Sequence, residues 1–156
     1  MPERLNIRAQ DIMSRDVLTL TDDASIVDAV RLLLERGASC AVVVEEEDHV
    51  KGIVTERDLI PLAMKGVVPP GIALRQILQD APHILDFLRE LRKADASRIA
   101  EVMTSPVQCA DVDMTVGQMA DVMEAFGRRQ LPVVREGRLV GMVTRRDVLR
   151  AIASKI

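Results

Sequence analysis

The chain has no tryptophan and no tyrosine, and its only phenylalanines are Phe87 and Phe126. Proteins that hold single-stranded nucleic acid need aromatic faces on which bases stack, so that class is poorly supported here. A basic excess is missing too. The formal net charge is -3, with acids and bases mixed along the chain. Neither a nucleic-acid partner nor a polybasic membrane patch is expected from it. No apolar run reaches the ~20 residues that span a bilayer. The opening MPERLNIRAQD lacks the apolar core of a signal peptide, and a cytoplasmic location is expected. Cys40 and Cys109 are the only cysteines, and in that compartment they are expected to be reduced.

Catalytic signatures are equally sparse. The two histidines are His49, in an expected hairpin turn, and His83, at an expected helix start. Neither belongs to a visible Ser-His-Asp or Cys-His arrangement. The patterns HExxH, CxxC, the EF-hand loop and GxxxxGK[ST] are all missing. The expectation is a non-enzyme with no metal site and no required cofactor. Met103, Met119 and Met123 read as core packing.

What the chain does contain is a repeat. Asp11-Ile12-Met13-Ser14 matches Glu101-Val102-Met103-Thr104 at a shift of 90 (103 − 13). Val17, Asp23, Gly37 and Val43-Val44 then meet Val107, Asp113, Gly127 and Val133-Val134. After a one-residue deletion in the second hairpin turn, GIVTERD (Gly52 to Asp58) meets GMVTRRD (Gly141 to Asp147). The register holds over roughly fifty residues per copy, too long for coincidence.

Each copy reads β-α-β-β-α. The expected first strands are Val17 to Leu20 and Val107 to Cys109. Ser25 and Thr115 are N-cap candidates. Ile26, Ala29, Val30 and Leu33 recur at helical spacing, as do Val116, Met119, Ala120 and Met123. Gly37 and Gly127 suit the left-handed residue that ends a helix. Two strands separated by a polar turn follow, Ala41 to Val44 with Val50 to Val54, and Leu131 to Val134 with Leu139 to Val143. A second helix starts at each motif's threonine. With 48% apolar residues, two such copies can share a core. Between them residues 65–97 have no twin. Leu74, Ile77 and Leu78 suggest a short helix. Pro82 opens another, with Ile84, Leu85, Phe87, Leu88 and Leu91 on its apolar stripe. This insert is expected to pack as helices or to cover a subunit contact.

The duplicated unit, the DIM/EVM starts, Gly37/Gly127, QLPVV and the GIVTERD/GMVTRRD ends together resemble the CBS (cystathionine β-synthase) domain family. Two copies in one chain look like a stand-alone CBS pair, or Bateman module. The resemblance covers residues 8–64 and 98–153. It implies a mixed α/β (α+β) fold, two repeats packed about a pseudo-twofold axis with a helical insert between them. It also implies a regulatory module whose clefts between the repeats take adenosine compounds, AMP, ADP or ATP, and in some members NAD or S-adenosylmethionine. A homodimer and a separate protein target are further implications.

The T-x-x-D phrase has two compatible meanings. Thr55 with Asp58, and Thr144 with Asp147, fit a capping box that serves only helix stability. The same helix start offers unpaired N–H groups to a phosphate, and its carboxylate can accept from ribose hydroxyls. The resemblance implies that role for both pairs.

By the same resemblance, the base slot falls on Val17, Thr19, Ala38, Ser39 and Cys40 in copy one. In copy two it falls on Val107, Cys109, Gln130, Leu131 and Pro132. Copy one departs from the pattern, with Val42 in the place of Pro132. The cysteines also read simply as core filling. Arg128, Arg129, Arg145 and Arg146 surround the second motif, where copy one has Ala38, Ser39, Glu56 and Arg57. They are either solvated surface or phosphate ligands, and in the second case the Thr144/Asp147 site binds phosphate more tightly.

The function expected is an adenine-nucleotide sensor. A ligand that fits one arrangement of the repeats better shifts their equilibrium and signals to a partner or to the oligomer. The alternatives are a dimerisation module without a ligand and, less favoured, a nucleotide-processing enzyme.

Overall fold

The computed structural model describes residues 6–62 and 98–154. The helices expected in the insert, and His83, lie outside the described residues. The fold is mixed α+β, with six strands among those residues.

Repeat one runs through helix α1 (Ala9–Ile12), strand β1 (Thr19–Leu20), helix α2 (Ile26–Arg36), strands β2 (Cys40–Glu45) and β3 (His49–Thr55), and helix α3 (Glu56–Leu62). Repeat two runs through α4 (Ile99–Val102), β4 (Ala110–Asp111), α5 (Val116–Phe126), β5 (Gln130–Arg135), β6 (Arg138–Thr144) and α6 (Arg145–Ala153).

The long helices end as their sequences dictate. The Ser25 side chain accepts from Asp28 N–H, and Thr115 from Gln118 N–H. Gly37 and Gly127 sit at φ +60° and +62°, where a side chain costs about 1–2 kcal/mol. That turn lets Ala38 and Arg128 N–H reach back to Leu33 and Met123 O, both at 2.9 Å. The one-residue difference between the copies lies in the hairpins. Glu136 (φ 53°) and Gly137 (φ 81°) make a two-residue turn with both central residues left-handed. Copy one spends a short 3-10 turn, Glu46–Asp48, on the same connection.

The chain forms two compact units, and neither is a repeat as the sequence is written. The repeat-one unit holds residues 18–43, 52–62 and 98–105; the repeat-two unit holds 6–17, 44–51 and 106–154. Each repeat's lead segment therefore serves the other repeat's core. In the repeat-two unit Ala9 is buried with Val116, Met119, Leu131, Val133 and Val143, and Ile7, Ile12 and Met13 pack against them. In the repeat-one unit Ile99 is buried with Ile26, Val30, Leu33, Val43 and Val54, flanked by Val102 and Met103.

The exchange is reciprocal bond for bond. Ala9 N–H donates to Met114 O at 2.8 Å, and Ile99 N–H to Ala24 O at 2.9 Å. The Arg8 guanidinium donates to Asp113 O, and that of Arg98 to Asp23 O. Ser14 exchanges two backbone bonds with Met142, and Thr104 two with Ile53.

Within the repeat-one unit β1 runs parallel to β2, pairing Thr19 with Val42 and Leu20 with Val43. In the repeat-two unit β4 runs parallel to β5, pairing Ala110 with Val133 and Asp111 with Val134. β5 runs antiparallel to β6.

The strand expected at Val107 to Cys109 is found instead at Ala110–Asp111. The first strand of copy one is also short, Thr19–Leu20, and proline accounts for the further residue lost in copy two. In copy one Val42 N–H donates to Leu18 O at 2.9 Å. Pro132 holds the matching place and has no N–H to give. The copy-two ladder begins one residue later, and Gln108 O does not receive the bond that Leu18 O receives.

Candidate functional site

The second T-x-x-D closes a strand and opens a helix. Thr144 ends β6 with extended backbone (φ -102°, ψ 162°) and caps α6. Its hydroxyl accepts from Asp147 N–H at 3.2 Å, and Asp147 Oδ2 accepts from Thr144 N–H at 2.8 Å. That is a full capping box, and it uses one carboxylate oxygen. The other, Oδ1, lies 4.0 Å from Arg150 Nη1, with the Asp147 side chain 22% exposed. A carboxylate offers about four lone-pair sites, so capping leaves acceptor capacity for a ligand hydroxyl.

The first T-x-x-D differs in its bonding. Asp58 Oδ2 accepts from Thr55 N–H at 2.8 Å and from the Thr55 hydroxyl at 3.2 Å. Pro61 stands where copy two has Arg150, so this carboxylate lacks the matching cation.

One backbone clasp recurs at both helix starts, and the sequence did not announce it. Glu56 N–H donates to Ser39 O at 3.0 Å, and Arg145 N–H to Arg129 O at 2.8 Å. It draws the loop after each long helix against the next helix's first turn. Ala38, Ser39 and Cys40 are thereby brought beside Thr55 and Asp58. Arg128, Arg129 and Gln130 are brought beside Thr144 and Asp147, with Gln130 paired directly to Thr144 across the ladder.

Other expected residues are placed less directly. Leu131 and Pro132 continue β5 as buried residues, and Val107 and Cys109 are half-buried ahead of β4. Thr19 is exposed on β1. Val17 belongs to the repeat-two unit, whereas Thr19 and residues 38–40 belong to the repeat-one unit.

The arginines are not uniformly solvated. Arg129, Arg145 and Arg146 are exposed, while Arg128 is half-buried. Arg145 Nη2 donates to Arg128 O at 3.3 Å, and Arg128 Nε is buried with no hydrogen-bond partner among the described residues.

Both cysteines are half-buried free thiols. Burial pushes the Cys40 thiol up; a hydrogen bond with Ser39 opposes this and the Glu56 charge adds to it. Burial alone pushes Cys109 up to about 11. At pH 8 that leaves about one Cys109 in a thousand as thiolate, against roughly a quarter of a free cysteine. The higher intrinsic nucleophilicity of such a thiolate recovers about tenfold. Iodoacetamide is therefore expected to alkylate Cys109 about twentyfold more slowly than glutathione at pH 8. Between pH 8 and 10 the rate should keep climbing about tenfold per unit. A plateau near pH 9, followed by mass spectrometry, would show an ordinary exposed thiol.

The comparison with known proteins rests on both repeats. A CBS domain family model matches residues 9–65 and 99–154, together well over half the chain. The chain belongs to the CBS domain family. Its solved neighbours include CBS domains and pairs of similar extent and one longer chain. The CBS domain of a membrane protein from Sphaerobacter thermophilus is 31% identical with TM-score 0.70, over 96% of this chain and 90% of that one. A CBS pair solved with 5′-methylthioadenosine and S-adenosyl-L-methionine is 25% identical with TM-score 0.67, over 96% and 98%. The cytosolic domain of the Mg2+ channel MgtE, solved with ATP, is 26% identical with TM-score 0.66, over 93% of this chain and 48% of that one.

An uncharacterized protein of Methanocaldococcus jannaschii is 29% identical over 96% of both chains. Of other curated relatives the CBS pair spans less, 62% of one from Methanopyrus kandleri and 31% of a second from M. jannaschii. No helix among the described residues is long and apolar enough to cross a membrane, and no group of three or more His, Cys, Asp or Glu among them could hold a metal ion.

Proposed function

We propose that this CBS pair is a regulatory module, not an enzyme, that senses adenine nucleotides of the AMP, ADP and ATP class. The ribose is held by Asp147 and Asp58, with Thr144 and Thr55 beside it. The base lies against Thr19, Ala38, Ser39 and Cys40 in repeat one, and against Val107, Cys109, Gln130, Leu131 and Pro132 in repeat two. Binding is read out by a separate protein target or by a homodimer of this chain, through a shift between arrangements that differ in affinity.

One observation carries this reading. The helix start of each T-x-x-D is clasped by an equivalent backbone bond to the loop that leads directly into the base-slot strand. A helix cap needs no such loop, whereas a nucleoside needs a base contact and a ribose contact held at fixed spacing. The adenosine ligands of two neighbours with 25% and 26% identity support the ligand class.

The test is thermal unfolding with adenosine, AMP, ADP, ATP, NAD and S-adenosylmethionine, on the parent chain and on Asp58→Ala and Asp147→Ala. A ligand at a hundredfold excess over Kd adds about 2.7 kcal/mol to the native state. Loss of the cap alone lowers the unliganded midpoint by the equivalent of about 1 kcal/mol. Each variant is therefore compared with its own unliganded melt. A ligand-dependent rise that each substitution reduces, and the pair abolishes, is the expected result. Capped helices that melt alike with and without every ligand would favour the dimerisation module.

A further inference from the structure

We infer that the two sites take ligands of different charge, and that the one at Thr144 and Asp147 is built for a nucleoside polyphosphate. The inference rests on the adenosine reading of that site and deepens it.

The two helix starts share their backbone construction and differ in their charges. The clasps measure 3.0 Å and 2.8 Å, and both aspartates accept from their threonine N–H at 2.8 Å. Onto that common frame copy one places Ala38, Ser39, Glu56 and Arg57, which sum to zero formal charge. Copy two places Arg128, Arg129, Arg145 and Arg146 at the matching positions, which sum to +4.

The backbone gathers these arginines around one helix start. Arg129 supplies the clasp carbonyl, Arg145 supplies its N–H, and the Arg145 guanidinium reaches over to Arg128 O. Arg146 follows in the first turn of α6, where the free N–H groups add positive potential. Four cations gathered in two short stretches repel one another. An acceptor-rich anion relieves that repulsion, and arginine forks bind phosphate in bidentate fashion.

Arg128 gives an independent sign. Its Nε–H is buried without an acceptor, although the side chain as a whole is only half-buried. A buried charged donor without a partner is costly. A phosphate oxygen bound by Nε and one Nη together would remove that cost. In copy one Ala38 and Glu56 provide no such fork, and Glu56 places a negative charge where copy two has Arg145. That site therefore disfavours added phosphates and takes a nucleoside or monophosphate.

Calorimetric titration of the full chain decides this, with adenosine, AMP, ADP, ATP and inorganic tripolyphosphate as probes. In Asp58→Ala, which isolates the copy-two site, ATP is expected to bind at least tenfold more tightly than AMP, and ADP to fall between. In Asp147→Ala, which isolates copy one, the order flattens or reverses. Adding Arg128→Gln and Arg145→Gln to Asp58→Ala should bring ATP and adenosine within about threefold of each other.

Equal affinity for adenosine and ATP in Asp58→Ala overturns the inference while leaving the adenosine reading intact. An arginine double variant that keeps the full ATP preference overturns it too. Tripolyphosphate binding without any adenosine compound would uphold the arginine site and sink the adenosine reading. Silence with every probe sinks both.

Discussion

Residues 98–154 expressed alone are expected not to fold as a monomer, although they contain the whole of the second family match. The reason is the exchange of lead segments. The repeat-two unit draws residues 6–14 into its core, and these come from the other end of the chain. Without them the unit loses five backbone bonds: Ala9 to Met114, Gln10 to Val112, Val116 to Ile7, and the two between Ser14 and Met142. At about 1 kcal/mol each that is on the order of 5 kcal/mol. The apolar cover of Ile7, Ala9, Ile12 and Met13 goes as well. A domain of this size has roughly 3–9 kcal/mol in total. The loss is comparable to the whole.

The fragment still carries its own lead segment, 98–104, which matches 8–14 position for position. A second copy can therefore fill the gap by swapping. The fit is imperfect, because Ile99 must enter the place shaped around Ala9, and overpacking costs about 1–3 kcal/mol. Sedimentation velocity with circular dichroism should show an unfolded monomer at low concentration and a weak folded dimer at high concentration. Fusing residues 6–17 through a flexible linker to 106–154 should restore a folded monomer. A fragment 98–154 that melts cooperatively as a monomer, within a few degrees of the intact chain, would show that the exchanged segment is dispensable.

This exchange marks where the sequence stopped being informative. Periodicity, the Ser25 and Thr115 caps and the Gly37 and Gly127 helix ends are local signals, and local physics placed them correctly. The lead segments DIM and EVM carry no such address. Their apolar residues ask to be buried, and both cores are built to the same pattern, so nothing nearby in the chain says which one receives them. Pro132 was legible as a departure from copy one. Its consequence was not, because losing one N–H matters only once the partner strand is known. At the site the T-x-x-D pairs were visible from spacing. The clasp from Ser39 and Arg129 was invisible, since backbone donors and acceptors are the same at every residue. The arginines were visible as charges, but the buried Arg128 Nε emerges only from packing.

The leading glycine of each repeated phrase has no role in a helix cap, and the exchange explains it. A Cβ on Gly141 would stand 2.5 Å from Met13 Sδ and 2.9 Å from Ser14 O. On Gly52 it would stand 2.8 Å from both Met103 Sδ and Thr104 O. The thioethers can rotate away. The carbonyl oxygens cannot, because they are held by Met142 N–H at 2.9 Å and Ile53 N–H at 3.1 Å. Alanine at either position must push the lead segment off the strand. The expected cost of Gly52→Ala or Gly141→Ala is about 2–3 kcal/mol, from overpacking plus a weakened backbone bond. For a chain of this length that lowers Tm by roughly 5–10 °C.

Two comparisons separate this cause from simple loss of glycine freedom. Gly37→Asn should be tolerated, since asparagine accepts the left-handed region and nothing lies within 4 Å of the added Cβ. Met13→Ala should fail to rescue Gly141→Ala, because the carbonyl remains. Gly141 also lies three residues before Thr144 on β6, so its alanine variant should weaken ligand binding at Asp147 more than at Asp58. Gly52→Ala should do the reverse. If both alanine variants melt with the parent, the lead segments sit loosely on their strands, and the close approach is no constraint on the fold.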